Sequence, residues 1–246
     1  MKNIFDIKEK TFILTGSSGH LGNPIANYLE SNGANIIRVS RSEEESDNSY
    51  KLDITNDIER DNFINFIQKN YQFVDGIINN AYSGNTGVLF NTKREEFEQS
   101  LDVILTSPFL LIQSLIPFFN KGSSIINISS MYGIVSPDPR IYGESGQNNP
   151  IYYGAGKAGL IQFTKYLACH LPKKEIRVNS ISPGPFPNLK PNDINDTFKK
   201  ELEKKVPLGR IGKPEDLFGL IHFLLSDSSS YINGANIPID GGWTAW

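Results

Sequence analysis

The sequence predicts an α/β fold in which a parallel, doubly wound sheet of seven strands carries helices on both faces. Along the whole chain, short β-rich runs alternate with longer segments of helical period, the pattern of parallel strands joined by crossover helices. The first strand also passes through a glycine-rich turn directly into a helix, Thr15-Gly16-Ser17-Ser18-Gly19-His20-Leu21-Gly22. At 246 residues the chain is long enough to bury a substantial core, and no low-complexity linker divides it, so residues 1–246 read as one domain.

The first strand is the apolar run at residues 11–15, and Leu21, Ile25, Tyr28 and Leu29 then recur at helical spacing. The stop signal Asn32-Gly33 precedes a second strand at 35–39, completing one βαβ unit. Further strands are expected at 50–54, 76–79, 124–129, 176–181 and 236–239. Phe63, Phe66 and Ile67 form one core-facing stripe, and Leu160, Phe163, Thr164, Leu167 and Leu171 form another. Segments 136–150 and 183–196 are rich in Pro, Gly and Asn, and each follows a strand. Ligands of open parallel sheets bind beyond the carboxyl ends of the strands, which makes residues 131–152 and 184–205 the candidate substrate loops.

Composition excludes several functions. A formal charge of -3 provides no basic surface for nucleic acid. The N-terminus turns charged early, and no later stretch reads as the roughly 18 apolar residues of a membrane helix, so a cytoplasmic protein with no membrane partner is expected. Cys169 is the only cysteine, which rules out an internal disulfide; it reads as a small core residue, and no cluster has metal-ligand spacing.

The glycine-rich turn permits close backbone approach, and the helix it opens offers unpaired N–H groups to a pyrophosphate. Gly16, Ser18, Gly19, His20, Leu21 and Gly22 are therefore candidate cofactor contacts, although such a turn can be merely structural and His20 merely a surface residue. The second strand ends in Ser40-Arg41, where an acidic side chain would otherwise meet an adenosine ribose. A guanidinium there can pair with a 2'-phosphate, so NADP is favoured over NAD unless Arg41 is only a solvated loop cation.

Tyr153 and Lys157 stand four apart at the start of a helix and share a face. A phenol is a poor acid at neutral pH unless a nearby ammonium stabilises its phenolate. Ser130, just past the fifth strand, is placed to hydrogen-bond a substrate oxygen as charge develops on it. Taken alone, a Tyr and a Lys at this spacing are more often an amphipathic surface pair.

The conjunction carries more than any single motif. With the glycine-rich turn, Leu52-Asp53-Ile54, Asn79-Asn80-Ala81, Ile126-Asn127-Ile128-Ser129-Ser130, Tyr153 to Lys157 with Ala158-Gly159, Ile176-Arg177-Val178-Asn179, Ser182-Pro183-Gly184 and Asp240-Gly241-Gly242, the chain resembles a short-chain dehydrogenase/reductase over essentially its full length, a single-domain Rossmann fold. The resemblance implies an NAD(P)-dependent oxidoreductase that interconverts a carbonyl and an alcohol. Tyr153 would be the proton donor or acceptor, Lys157 would also bind the nicotinamide ribose, and Ser130 would polarise the carbonyl. Asp53, Ile54, Asn79, Asn80 and Ala81 would border the adenosine, and Pro183 and Gly184 the nicotinamide. A homodimer or homotetramer is also implied, with the Tyr153 helix commonly in a subunit interface.

Three departures stand out. His20 occupies the family's usual middle glycine, giving the TGxxGxxG spacing of the extended branch in a chain too short for that branch's substrate domain. Ile104 falls where a catalytic asparagine usually orders a proton-relay water. Ser130 and Tyr153 are separated by 22 residues, longer than usual, with the excess near Pro137 to Glu144. Arg140, Tyr142 and Tyr152 in this region would suit a polyhydroxylated or anionic substrate, and the long loop, the Asn-Asn-Ala-Tyr stretch and the ending Gly242-Trp243-Thr244-Ala245-Trp246 resemble bacterial oxidoreductases of surface-sugar and flagellin-glycan biosynthesis. Two other classes stay open: a dinucleotide-binding regulatory or scaffold protein with impaired catalysis, and a sugar epimerase or dehydratase that retains its cofactor.

Overall fold

In the computed structural model, residues 3–82, 89–144, 148–188 and 196–246 are described. Seven strands form one all-parallel sheet in the order β3-β2-β1-β4-β5-β6-β7. They are β1 (Thr11–Thr15), β2 (Asn35–Ser40), β3 (Ser49–Lys51), β4 (Val74–Asn79), β5 (Phe119–Ile128), β6 (Arg177–Pro183) and β7 (Asn236–Ile239). The strand count and placement follow the sequence pattern. The largest boundary errors are β3, which ends at Lys51 instead of 54, and β5, which begins five residues before 124. At β3 the apolar Leu52 and Ile54 extended the strand signal although they are buried beyond the strand end, and at β5 the polar Asn120 to Ser123 gave no apolar signal.

Strand periodicity sorts side chains onto two faces. On one face Ile13, Ile77, Ile125 and Val178 pack against α2 (Asp57–Asn70) through Phe63 and Ile67, against α4 (Ser107–Leu115) through Leu111 and Leu115, and against α5 (Ile151–His170) through Leu167. On the other, Phe12, Leu14, Ile78 and Ile126 meet Ile25 and Leu29 of α1 (Gly22–Ser31) and Ile221 and Leu224 of α7 (Phe218–Leu225). Both faces are covered, as an all-parallel sheet requires. Cys169 lies at the solvent side of α5, exposed, because the stripe of Leu160, Thr164 and Leu167 takes the buried face.

A third apolar cluster sits apart from the sheet faces. Met131, Tyr132, Ile141, Leu202, Val206 and Trp243 bring together the segment after β5, helix α6 (Asp196–Lys205) and the C-terminal residues. The Asp138 carboxylate ties two of these segments, accepting from Arg140 and, at 2.6 Å, from Lys205 of α6, whose ammonium lies 5.2 Å from the Trp243 ring centroid. These donors hold Asp138 well below the usual carboxylate range.

Helix α3 (Arg94–Leu101) runs into α4 through a π-helical turn at Asp102–Thr106, and an 18-residue window of the 25-residue run 94–118 has a mean hydropathy of 1.7. By length and composition alone this run is long and apolar enough to cross a membrane, a stretch the sequence reading did not single out because its charged residues are grouped in α3 and at Asp102. Here Leu111, Ile112 and Leu115 pack into the sheet core, while Phe109 remains 40% exposed and meets Phe163 of α5 edge-on.

Candidate functional site

The strand order reverses direction at β1, with β2 on one side and β4 on the other, so the loops after β1 and β4 diverge and open a crevice. A cavity of about 1310 Å³ fills it. Gly16, Ser18, Gly19, His20 and Leu21 line it, as do Ser40, Arg41, Asp53, Ile54, Asn80 and Ala81, so most of the expected cofactor contacts come together. Gly16 has φ of 68°, and a Cβ there would lie 2.8 Å from Ala81 Cα, so the turn and the end of β4 approach each other as only glycine allows. Helix α1 starts without a side-chain cap or an acidic residue in its first turn, which leaves its N-terminal dipole open to an anion. The pyrophosphate of a dinucleotide fits this cradle on both counts.

Two expected contacts are placed elsewhere. The Gly22 position serves packing, since a Cβ there would stand 2.1 Å from Gly16 O. The Asn79 side chain is buried beneath the crevice and donates to Asn127 Oδ1 at 2.8 Å, because its place in β4 turns it toward the neighbouring strand. Asp53 lines the crevice and at the same time caps its own turn, accepting from the Thr55 backbone N–H at 3.0 Å and hydroxyl at 2.7 Å. Arg41 is exposed on the wall. Glu43, two residues beyond, is drawn away to accept from the buried Ser17 hydroxyl at 2.6 Å.

A second cavity of about 300 Å³ adjoins the first, and Leu21, Asn80, Tyr82 and Phe186 border both. It contains Ser130, Tyr153 and Lys157, together with Pro183 and Gly184. Ser130 ends the extended segment after β5 and accepts from the Tyr132 backbone N–H at 3.1 Å. Its hydroxyl also hydrogen-bonds the Tyr153 phenol. Gly133 lets α5 pack directly on this turn, because a Cβ there would be 2.8 Å from Lys157 C. Lys157 is 4% exposed and donates from Nζ to Ile128 O at 2.6 Å. Burial lowers its ammonium to about 7.

The electrostatics differ from the expectation of an ammonium that lowers the tyrosine. Burial pushes the Tyr153 phenol up, and only the Ser130 hydrogen bond opposes it. Lys157 is anchored to the strand end, with Nζ 5.7 Å from the Tyr153 ring centroid and equally far from that of Tyr82. Tyr82 packs edge-on to Tyr153 with centroids 4.8 Å apart. Its place after Asn79-Asn80-Ala81 was visible in the sequence, but its reach into both cavities was not.

The long loop meets the site through different residues from those expected. Tyr142 lines the smaller cavity and its hydroxyl bonds that of Tyr132. Arg140 does not line it: the side chain is 87% exposed and folds back onto Asp138 two residues earlier. Tyr152 lies on the cofactor side, edge-on to Phe97, because one residue along a helix rotates a side chain about 100° away from Tyr153. Asn149, Phe198 and Leu202 complete the smaller cavity and had no sequence signal beyond lying in the two candidate loops. Residues 145–147 and 189–195 of those loops lie outside the described residues.

Ile104 is 1% exposed in the π-helical turn and packs on α5 between the two functional side chains. A Cβ on Gly156 would stand 3.0 Å from Ile104 Cδ1, 3.1 Å from Cγ2 and 3.2 Å from Cβ. The isoleucine therefore fills the volume that Gly156 leaves open. Gly156→Ala should displace the Tyr153–Lys157 turn and reduce turnover about tenfold or more, whereas Ile104→Ala with Gly156→Ala should recover most of it, as neighbouring substitutions couple. Steady-state kinetics of the two single variants and the double variant test this; additive effects would show that the contact does not position the site.

Comparison with known proteins agrees with this geometry. The family model described as "Enoyl-(Acyl carrier protein) reductase" matches residues 18–244. A 3-oxoacyl-[acyl-carrier-protein] reductase FabG of Rickettsia felis is 33% identical, with 97% of this chain and 98% of the relative covered. The FabG of Chlamydia trachomatis is 35% identical, with 95% and 96% covered. Among solved structures, a short chain dehydrogenase from Leptospira borgpetersenii with bound NAD+ superposes with a TM-score of 0.89 at 34% identity, covering 99% of this chain and 96% of that one. The Pseudomonas aeruginosa RhlG/NADP complex gives 0.85 at 27% identity, with 99% of each chain covered. The names of these relatives lend no support to surface-sugar biosynthesis. With a full-length match of sequence and fold, and with Ser130, Tyr153 and Lys157 gathered beside a dinucleotide-shaped crevice, the chain belongs to the short-chain dehydrogenase/reductase family and is an NAD(P)-dependent oxidoreductase.

Proposed function

We propose that the chain reduces the 3-oxo group of an acyl thioester with NADPH, using Tyr153 as proton donor. The observation that carries this is the convergence of Ser130, Tyr153 and Lys157 in a small cavity whose remaining wall is mostly apolar, with Met131, Pro185, Phe186, Phe198 and Leu202. The names of the curated relatives point to the same substrate class. Bound dinucleotide supplies the hydride to the carbonyl carbon. Ser130 donates a hydrogen bond to the carbonyl oxygen, and Tyr153 passes its phenolic proton to that oxygen as the negative charge forms. As an ammonium, Lys157 retains two N–H donors beyond its bond to Ile128 O, enough to hold ribose hydroxyls. The apolar wall excludes water, which strengthens each of these interactions.

A second reading is a polyhydroxylated carbonyl compound. Tyr132, Tyr142 and Asn149 give the cavity one polar side, and all three lie between Ser130 and Tyr153. Tyr153→Phe should lower kcat/KM about 100- to 10,000-fold while NADPH binding is retained, measured by NADPH oxidation with 3-oxoacyl thioesters, hydroxyketones and phosphorylated ketoses. Turnover of the sugars alone would replace the first substrate reading with the second, and unchanged turnover would remove Tyr153 from the proton path.

We also assign NADP as the preferred cofactor. Support comes from Arg41 on the crevice wall and from Glu43 being held by Ser17, so that no carboxylate faces a 2'-phosphate from this segment. Arg41→Ala should weaken NADPH about 10- to 100-fold and leave NADH unchanged, the scale of a lost charge-assisted hydrogen bond. Fluorescence titration of both cofactors decides it; equal effects on the two would refute the assignment.

A homo-oligomer completes the proposal. The outer side of α4 and α5 exposes Phe109 and Tyr166, at 40% and 59%, beside Phe163, an apolar surface suited to a second copy. Light scattering should report a dimer or larger, and Phe109→Glu should shift it toward the monomer; an unaltered mass would place the interface elsewhere.

A further inference from the structure

The guanidinium assigned to a 2'-phosphate has a rival partner in its own segment. Arg41 and Glu43 stand two residues apart after β2, and Arg41 makes no hydrogen bond or ion pair with the other described residues. The chain shows elsewhere what that spacing permits: Arg140 folds back onto Asp138, also two residues away, and does not line the smaller cavity. Glu43 instead accepts at Oε1 from the Ser17 hydroxyl at 2.6 Å. Ser17 is fully buried in the glycine-rich turn, its backbone N–H donates to Val39 O at 3.3 Å, and its hydroxyl makes no other hydrogen bond among the described residues. A buried hydroxyl bonded to a carboxylate is costly to strip of that partner. Arg38 also feels the Glu43 charge, but its guanidinium is already committed to Glu30, Asn23 and Asn27. The wall of the larger cavity accordingly contains Arg41 and Ser42 but not Glu43.

We propose that Ser17 sets the cofactor preference by holding the Glu43 carboxylate away from Arg41, which leaves the guanidinium free for a 2'-phosphate. Ser17 does not line the cavity, so it acts through Glu43 as a positioning residue. The inference deepens the NADP assignment and rests on it, because it takes Arg41 to be the partner of the phosphate. A released carboxylate would pair with Arg41 and repel the phosphate of NADPH, but would not oppose the uncharged 2'-hydroxyl of NADH. One hydrogen bond thus ties the turn that fits the pyrophosphate to the charge balance around the adenosine ribose.

The test is fluorescence titration of NADPH and NADH against the unaltered protein and its variants. Ser17→Ala should weaken NADPH about tenfold and leave NADH unchanged. Glu43→Asp keeps the charge but falls one methylene short of Ser17, so it should reproduce the effect without altering the turn. Ser17→Ala combined with Glu43→Gln should restore the NADPH affinity of the unaltered protein, because no carboxylate is then left to release. Three results would overturn the role of Ser17. They are equal weakening of both cofactors by Ser17→Ala, a double variant no tighter for NADPH than Ser17→Ala alone, and NADPH affinity unchanged in Ser17→Ala, or in Glu43→Asp where Ser17→Ala does not fold. Arg41→Ala, titrated in parallel, separates the two readings. If it leaves NADPH affinity unchanged, the NADP assignment falls and takes the role of Ser17 with it; if it weakens NADPH while Ser17→Ala does not, only the role of Ser17 falls.

Discussion

The Lys157 ammonium reaches from α5 to the carbonyl at the end of β5, and this one bond joins the helix that carries the functional tyrosine to the strand end that leads to Ser130. It is buried, so competing water is absent, and the same burial brings the lysine close to neutrality at about 7. Nearby, Ser129 Oγ donates to Lys157 O at 2.8 Å, and Gly133 lets the turn after β5 press against α5. These contacts set the distance between a serine and a tyrosine that are remote in sequence. Without them Ser130 and Tyr153 would belong to two independently moving segments.

The sheet supplies the second constraint. Because β1 lies between β2 and β4, the chain leaves the sheet in opposite directions on either side of it, and the crevice that results accepts an extended ligand. The smaller cavity opens from one end of that crevice, with Leu21, Asn80, Tyr82 and Phe186 as shared walls. A cofactor in the first cavity and a carbonyl in the second, as proposed, would meet at this common boundary. Tyr82 packs there against Tyr153, with Lys157 Nζ 5.7 Å from its ring, and desolvation raises its phenol above the ordinary range.

The π-helical turn and Ile104 form a local solution distinct from a polar relay. An apolar side chain at this point cannot hold water, and it fills the gap over Gly156. In the proposed reaction a proton from Tyr153 would then pass by Ser130 and Lys157, which line the same cavity, and not through a side chain at position 104. Packing at this position stiffens the turn of α5 that carries both functional groups.

What the sequence determined by itself were the features governed by short-range geometry. A turn of glycines between a strand and a helix, a spacing of four that stacks Tyr153 above Lys157, and the short β-rich runs of β1, β4, β5 and β6 all reflect local backbone preference and side-chain direction, so they were readable without a structure. Tertiary structure decided the rest. Arg140 and Tyr142 are two residues apart, yet only Tyr142 enters the cavity, because Asp138 draws the guanidinium outward and the cluster around Trp243 draws the phenol inward. Asn79 is turned under the crevice by its strand partner Asn127, and Cys169 is turned to solvent by the rotation of α5. Partners distant in the chain settle such outcomes, and local pattern holds no information about which of them will arrive.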